Sequence, residues 1–163
     1  MTNKPTLYIS CGLPGAGKST FLKKTALPSE IIVSRDEIRY SLLKEGEPYF
    51  QHEIEVAKLF YAKIAENLSK GKNVYADATH LNNYSRSKLL GQLEPYNLDF
   101  NIEVIFFDVP IYVCIERNEK RTGRAKVPIE RILNMSQNLQ KPYPDYAKHL
   151  WIIDEDGDVE KEW

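Results

Sequence analysis

"GLPGAGKS", residues 12–19, follows "TLYISC" (6–11), a short apolar run rich in β-branched and aromatic side chains. Gly12, Gly15 and Gly17 allow a tight turn and a close approach to a ligand. Gly12, Gly17, Lys18 and Ser19 fill the spacing G-x-x-x-x-G-K-[ST] between a predicted strand and a predicted helix, the context which that pattern requires. A loop of this kind turns backbone N–H groups, and the start of a helix, toward an anion. Lys18 then reaches the β- and γ-phosphates of a nucleoside triphosphate, and the Ser19 hydroxyl ligates Mg²⁺. The expected nucleotide contacts are Gly12, Gly15, Ala16, Gly17, Lys18, Ser19 and Thr20. No N-K-x-D element for reading guanine is present, so ATP is preferred over GTP.

The rest of the chain repeats the strand–helix alternation that the loop begins. A helix is expected over 17–26, stopped by Pro28, and a strand over 31–33. Phe50, Ile54, Ala57, Tyr61, Ile64 and Leu68 alternate at four and three, which predicts one face of a helix over 49–69 with Gly71 as its stop. Strands follow at 73–77 and 102–109, each leading into a helix, the second opened by Pro110. A helix over 128–139, a connector "KPYPDY" (141–146) and a strand over 150–154 complete the chain. This order predicts an α/β P-loop kinase fold in one domain, 1–163. It has a parallel sheet of about five strands with helices on both faces. "DEDGD" (154–158) predicts a terminal hairpin turning at Asp156-Gly157 within 149–163.

With 163 residues, the chain can bury one sizeable core. Its formal charge of -1 excludes a wholly basic nucleic-acid binder, so any such surface is local. Two cysteines, Cys11 and Cys114, fall in apolar patterns and suit buried thiols in a reducing compartment. There is no signal-peptide layout, and no run approaches the roughly 18 apolar residues of a membrane span, so a cytoplasmic protein without membrane contact is expected.

"VSRDEIR" (33–39) follows the second strand. Ser34 and Glu37 fit a capping box, which puts Asp36 at the second helical position with Arg39 on the same face. Both charges have ordinary uses there: a helix-end acid and a surface ion pair. They also have a functional one. Ligands of open parallel sheets bind beyond the carboxyl ends of the strands, where the phosphate loop also lies. Asp36 there is a candidate base for an attacking hydroxyl, and Arg39 a candidate holder of an anion on the acceptor. Asp77 ends the third strand and is preferred over Asp108 for holding Mg²⁺ or its waters, with Thr79 or Asn82 left to cap the next helix. In "ERNEKRTGRAKVP" (116–128), Arg117, Arg121 and Arg124 share a face if helical. A solvated helix is the ordinary reading, and an arginine lid over transferring phosphates, about 117–127, the functional one.

Taken together, "GLPGAGKST", "VSRDEIR", "ADATHLNNYSR", "FFDVP" and "ERNEKRTGRAKVPIERI" resemble the kinase domain of bacteriophage-type polynucleotide 5′-hydroxyl kinases, in family order over about residues 6–139. The resemblance implies ATP- and Mg²⁺-dependent phosphorylation of 5′-hydroxyl ends of DNA or RNA, and a functional link to a nucleic-acid ligase. It implies that Lys18 and Ser19 contact phosphate and metal, that Asp36 is the general base and that Arg39 grips the phosphate beside the reacting end. Arg117 and Arg121 match lid arginines, with Arg121 acting in catalysis, and Asp77 with Thr79 matches acceptor-side positions. "WIIDEDGDV" (151–159) stands where that family begins a 3′-phosphatase domain, but Asp158 replaces the family's threonine, so a hairpin is expected rather than a phosphatase. The alternative is a small-molecule kinase of the same fold acting on a nucleoside, sugar or antibiotic.

Overall fold

The computed structural model describes residues 3–163, the Arg124 side chain excepted. The strands are β1 (Thr6–Cys11), β2 (Ile31–Ser34), β3 (Val74–Asp77), β4 (Asn101–Phe107), β5 (His149–Ile153) and β6 (Val159–Lys161). The helices are α1 (Lys18–Thr25), α2 (Arg35–Leu42), α3 (Glu53–Ser69), α4 (Asn83–Leu93), α5 (Ile111–Glu119) and α6 (Ile129–Gln137). The sheet order is β2-β3-β1-β4-β5-β6, parallel except for β6, which pairs antiparallel with β5. The predicted parallel sheet of five strands is present, and the predicted hairpin adds a sixth.

Alternation along the strands divides the core between the two faces. Val104 and Phe106 pack with Leu7, Ile9, Val74 and Ala76 beneath α3 and α4. Ile105 and Phe107 pack with Leu22 of α1 and Cys114 of α5 on the other side. Both cysteines are free and buried, as their apolar settings predict. No helix among the described residues is long and apolar enough to cross a membrane.

Three expectations need correction. The helix expected over 49–69 begins at Glu53, and its buried face is Val56, Phe60, Ile64 and Leu68. Ile54 is 78 % exposed, and Phe50 lies in the preceding turn. Packing against α2 and β2 selects the face, and the apolar residues at 50 and 54 do not belong to it. The basic segment is not one helix: α5 stops at Glu119, and a 3₁₀ turn spans Gly123–Ala125. Arg117 and Arg121 therefore do not share a helical face. The box at Ser34 is half formed, since its hydroxyl accepts from Glu37 N at 3.2 Å without a reciprocal bond. At α4, Asn82 and Ser85 form the full box, so Asp77 is not needed as a cap.

One buried cation holds the top of this architecture. Arg86, 1 % exposed, donates to the His80 carbonyl at 2.8 Å, to Asn83 Oδ1 at 2.9 Å and to the Gln140 carbonyl at 3.2 Å. It ties the β3–α4 loop to the segment after α6. Truncating it leaves the buried His80 carbonyl and two partly buried oxygens without their partner, an unpaired buried group costing about 1–3 kcal/mol. Arg86→Ala should lower unfolding stability by about 3 kcal/mol or more in denaturant titration; a loss under about 0.5 kcal/mol would contradict that role.

Candidate active site at the carboxyl edge of the sheet

The strands end in step: Ile9 is level with Ala76, and Ser34 with Asp77. The loop after β1, the loop after β3 and the start of α2 consequently meet at one edge. They line a cavity of about 1080 Å³. That exceeds the roughly 300–1,000 Å³ of common small-ligand pockets and leaves room for a donor and an acceptor together.

The donor side is the phosphate loop. Its N-terminal arm is fixed by Gly12 N donating to the Thr79 carbonyl at 2.9 Å, and its turn by Ala16 N donating to the Leu13 carbonyl at 3.1 Å. At Gly15, φ is +85°, and a Cβ would stand 2.4 Å from the Cys114 carbonyl oxygen of α5. Glycine is required there on both counts. Lys18 Nζ donates to the Gly12 and Leu13 carbonyls at 2.9 and 2.8 Å, and burial pushes its pKa down against the opposing pull of Asp77 and Asp36. Ser19 Oγ donates to Asp77 Oδ2 at 2.7 Å. Burial raises the Asp77 carboxyl, opposed by Ser19 and Lys18. This pair of hard oxygens beside the loop suits Mg²⁺. Asp108 is exposed and off the cavity. Thr20 and Ala16 do not line it either; Thr20 is exposed, and Ala16 is buried within the loop.

Across the cavity from the loop stands the start of α2. Asp36 Oδ1 accepts from Tyr49 Oη at 2.7 Å and from Arg39 Nη1. Both contacts fall on Oδ1; among the described residues Oδ2 accepts from no side chain. Burial, followed by the bond to Asp36, raises the Tyr49 phenol well above its usual range. Arg39 is itself buried. Its Nε and Nη2 donate to the two oxygens of Glu53 at 2.5 and 3.0 Å, and its guanidinium lies 4.8 Å from the centre of the Tyr49 ring and 5.2 Å from that of Phe50. Arg39 is thus bound to the protein on two edges. Arg131 of α6 lies 4.1 Å over the same Phe50 ring.

The two lid arginines separate. Arg117 Nη1 donates to the Gly15 carbonyl at 3.4 Å, and Nη2 donates to the Glu155 carbonyl of the terminal hairpin. Arg121 lines the cavity, and among the described residues its guanidinium donates only to the Ala125 carbonyl, at 3.5 Å. Buried Asn118 closes the base of the lid, giving Nδ2 to the Val127 carbonyl at 2.6 Å and taking Val127 N at 2.9 Å. Sequence reasoning assigned no role to Asn118, Tyr49, Glu53, Arg86 or His80. A signal existed only for His80, which follows the strand-ending "DAT".

His80 has φ +39°, a rare value for a residue with a side chain, and is held by its Nδ1 bonding to the Ser10 carbonyl at 2.7 Å. Burial drives its pKa from 6.5 down to about 4, with the Ser10 carbonyl opposing and nearby cations assisting. The folded protein therefore holds this imidazole neutral, while the unfolded chain takes up a proton below 6.5. Stability due to this residue is full above pH 6.5 and falls toward pH 4, by up to about 1.4 kcal/mol per pH unit. His80→Asn, which tolerates the same backbone, should show a shallower stability loss over that window in denaturant titrations; an unchanged slope would contradict the buried neutral histidine. At the loop, Gly15→Ala should weaken ATP binding by about 10-fold or more, since strain of this kind costs about 1–3 kcal/mol. Calorimetry giving wild-type affinity would contradict the steric account.

A family model described as an AAA domain (AAA_33) matches residues 7–142. L-seryl-tRNA(Sec) kinase of Methanococcus maripaludis is 31 % identical over 150 residues, covering 88 % of this chain and 56 % of the relative. Transcription factor bHLH140 of Arabidopsis thaliana is 27 % identical over 96 % of this chain, which corresponds to 17 % of that relative. The chain thus spans about half, or less, of the curated relatives it matches. Among solved structures, a chain of the Pnkp1/Rnl/Hen1 RNA repair complex superposes with a TM-score of 0.72 at 27 % identity, covering 86 % of this chain and 45 % of that one. With its six-stranded, mostly parallel sheet and its phosphate loop, this chain has a P-loop kinase fold and belongs to the AAA-domain family that the model describes.

Proposed function

We propose that this protein transfers the γ-phosphoryl group of ATP to the 5′-hydroxyl end of DNA or RNA, with Asp36 as general base. The observation that carries this reading is the single cavity joining the Lys18 loop to Asp36, whose Oδ2 has no protein partner among the described residues. Its walls carry more cationic than acidic side chains, although the whole chain is slightly acidic. Aromatic residues Tyr40, Phe50 and Tyr84 are interspersed, a combination suited to nucleic-acid ends. A neighbour in an RNA repair complex supports this acceptor class, and a relative named for a tRNA-borne seryl group supports an RNA-associated acceptor more broadly.

In this reading Lys18 leaves the Gly12 and Leu13 carbonyls for the donor's phosphate oxygens, while the loop's N–H groups hold the remaining charge. Ser19 and Asp77 would hold Mg²⁺, which neutralises phosphate charge when bound. Tyr49 and Arg39 fix Asp36 through Oδ1, and Oδ2 takes the proton of the attacking 5′-hydroxyl. The freed oxygen bonds to the γ-phosphorus as its bond to the leaving ADP breaks. Arg121, whose one bond among the described residues is the 3.5 Å contact to the Ala125 carbonyl, follows the charge that moves toward the leaving group.

One observation favours a second reading. Because Arg39 is engaged by Glu53 and Asp36, it suits an acceptor that bears no phosphate, and sugar kinases share this fold. The discriminating experiment presents γ-labelled ATP with a 5′-hydroxyl oligonucleotide, the same oligonucleotide already 5′-phosphorylated, a nucleoside and a sugar panel. Label should enter only 5′-hydroxyl nucleic acid at high efficiency. Asp36→Asn should lower that turnover by about 10² to 10⁴ with little change in acceptor KM. Efficient labelling of a sugar with none of the oligonucleotide would overturn the assignment.

A further inference from the structure

Cationic and aromatic side chains line several walls of the cavity, and most of them are engaged by the protein itself. Arg39 is bound by Glu53, Asp36 and Tyr49, and Arg131 lies over the Phe50 ring. Lys126 pairs with Glu119 at 3.1 Å, and the Tyr40 and Tyr49 rings meet edge to face at 6.0 Å. The wall formed by α4 differs. Tyr84 and Lys88 both line the cavity, and among the described residues neither side chain has a hydrogen bond, an ion pair or a ring contact.

Their placement follows from the packing of α4. Arg86, Leu89 and Leu93 are its buried residues. At roughly 3.6 residues per turn, Tyr84 and Lys88 fall side by side on the opposite face of the helix. Tyr84 is 75 % exposed, so its ring face is open. The backbone beneath them is held firmly, by the capping box of Asn82 and Ser85 and by the bonds of Arg86. No acidic residue occurs on this helix to repel an anion or neutralise Lys88. Because α4 follows Asp77 and Thr79, this ridge starts beside the phosphate edge and leads outward from it. An open ring and an ammonium group one turn apart, on a rigid support, suit one unit of a nucleic-acid strand. The ring stacks on a base of any kind, and the ammonium meets a phosphate as a point charge.

Resting on the proposed transfer to nucleic-acid ends, we propose that α4 carries the acceptor strand beyond the reacting nucleotide. Tyr84 stacks the base of the next nucleotide, and Lys88 meets the phosphodiester that follows it. Both residues act on affinity for the strand and neither touches the reacting atoms. The favoured acceptor is accordingly an oligonucleotide or longer strand, and a mononucleotide is too short to reach the ridge.

The test uses three 5′-hydroxyl acceptors: a nucleoside 3′-monophosphate, a trinucleotide, and the same trinucleotide with an abasic second position. Transfer is followed with γ-labelled ATP and binding by calorimetry, in wild type, Tyr84→Ala, Tyr84→Phe and Lys88→Gln. Thermal melting checks that each variant is folded. Wild type should favour the trinucleotide over the monophosphate by about 10-fold or more, through KM. Tyr84→Ala should collapse that ratio and Tyr84→Phe should keep it. The abasic trinucleotide should lose the advantage in wild type and lose nothing further in Tyr84→Ala. Lys88→Gln should lower the slope of log KM against log salt by about 0.7 for the trinucleotide. A wild type without length preference overturns the inference. So does a Tyr84→Ala loss that is equal on monophosphate and trinucleotide or that persists on the abasic strand, or an unchanged salt slope in Lys88→Gln. Trinucleotide binding that depends on Tyr84 and Lys88, with no phosphoryl transfer to any acceptor, would sustain the strand site and overturn the kinase reading. Transfer without length preference would do the reverse.

Discussion

The backbone of the phosphate loop rests directly on the backbone of α5, and the site depends on that contact. No side chain fits at Gly15, because the Cys114 carbonyl occupies the space where its first carbon would go. Close approach lets Arg117, one turn further along α5, reach the Gly15 carbonyl, and lets Asn118 fasten the returning chain at Val127. The phosphate loop and the segment that bears Arg121 are therefore joined by the Gly15–Cys114 backbone approach and by bonds between the Arg117 and Asn118 side chains and main-chain groups. Among the described residues Arg121 makes one weak bond, to the Ala125 carbonyl, at the edge of the cavity.

The opposite wall of the cavity, at α2, is organised by charge instead of steric fit. Arg39 is a hub whose partners come from two places: Asp36 from its own helix, and Tyr49 and Glu53 from the turn and helix that follow. Buried charge is tolerable when its donors are paired, and this one is paired on two edges by carboxylates. The result is an Asp36 fixed through one oxygen, with the other open to a substrate. Phe50, stacked by Arg39 and Arg131, links this hub to α6, so both ends of the cavity are tied to the chain that follows α5.

The features legible in the sequence are those set by neighbours along the chain. The strand-loop-helix of residues 6–25, the cap at Ser34 and the turn at Asp156-Gly157 each follow from local spacing, and the fold class follows from their repetition. Asp77 was legible because the strand that ends in it must reach the phosphate edge. Features set by distant contacts were not. Glu53 lies 14 residues from Arg39, and no local rule distinguishes it from Glu55 on the same helix. Arg86 sits in a polar helix opening that reads as solvent-facing, yet three oxygens from separate segments bury it. Phe50 reads as the start of an amphipathic stripe, whereas it lines the cavity together with Tyr49, and the helix packs through Val56 and Phe60. Phe50 follows the geometry of the cavity and not the period of the helix, while Arg86 is buried by a contact to Gln140 that no local spacing announces.

The central claim is that one cavity brings the donor γ-phosphorus and an acceptor 5′-hydroxyl together against Asp36. A crystal structure with a non-hydrolysable ATP analogue, Mg²⁺ and a 5′-hydroxyl oligonucleotide tests it most directly. The account predicts the 5′-oxygen within about 3 Å of Asp36 Oδ2 and in line with the γ-phosphorus held at Lys18. A 5′ end bound elsewhere, with Asp36 remote from it while the nucleotide fills the phosphate loop, would contradict the account.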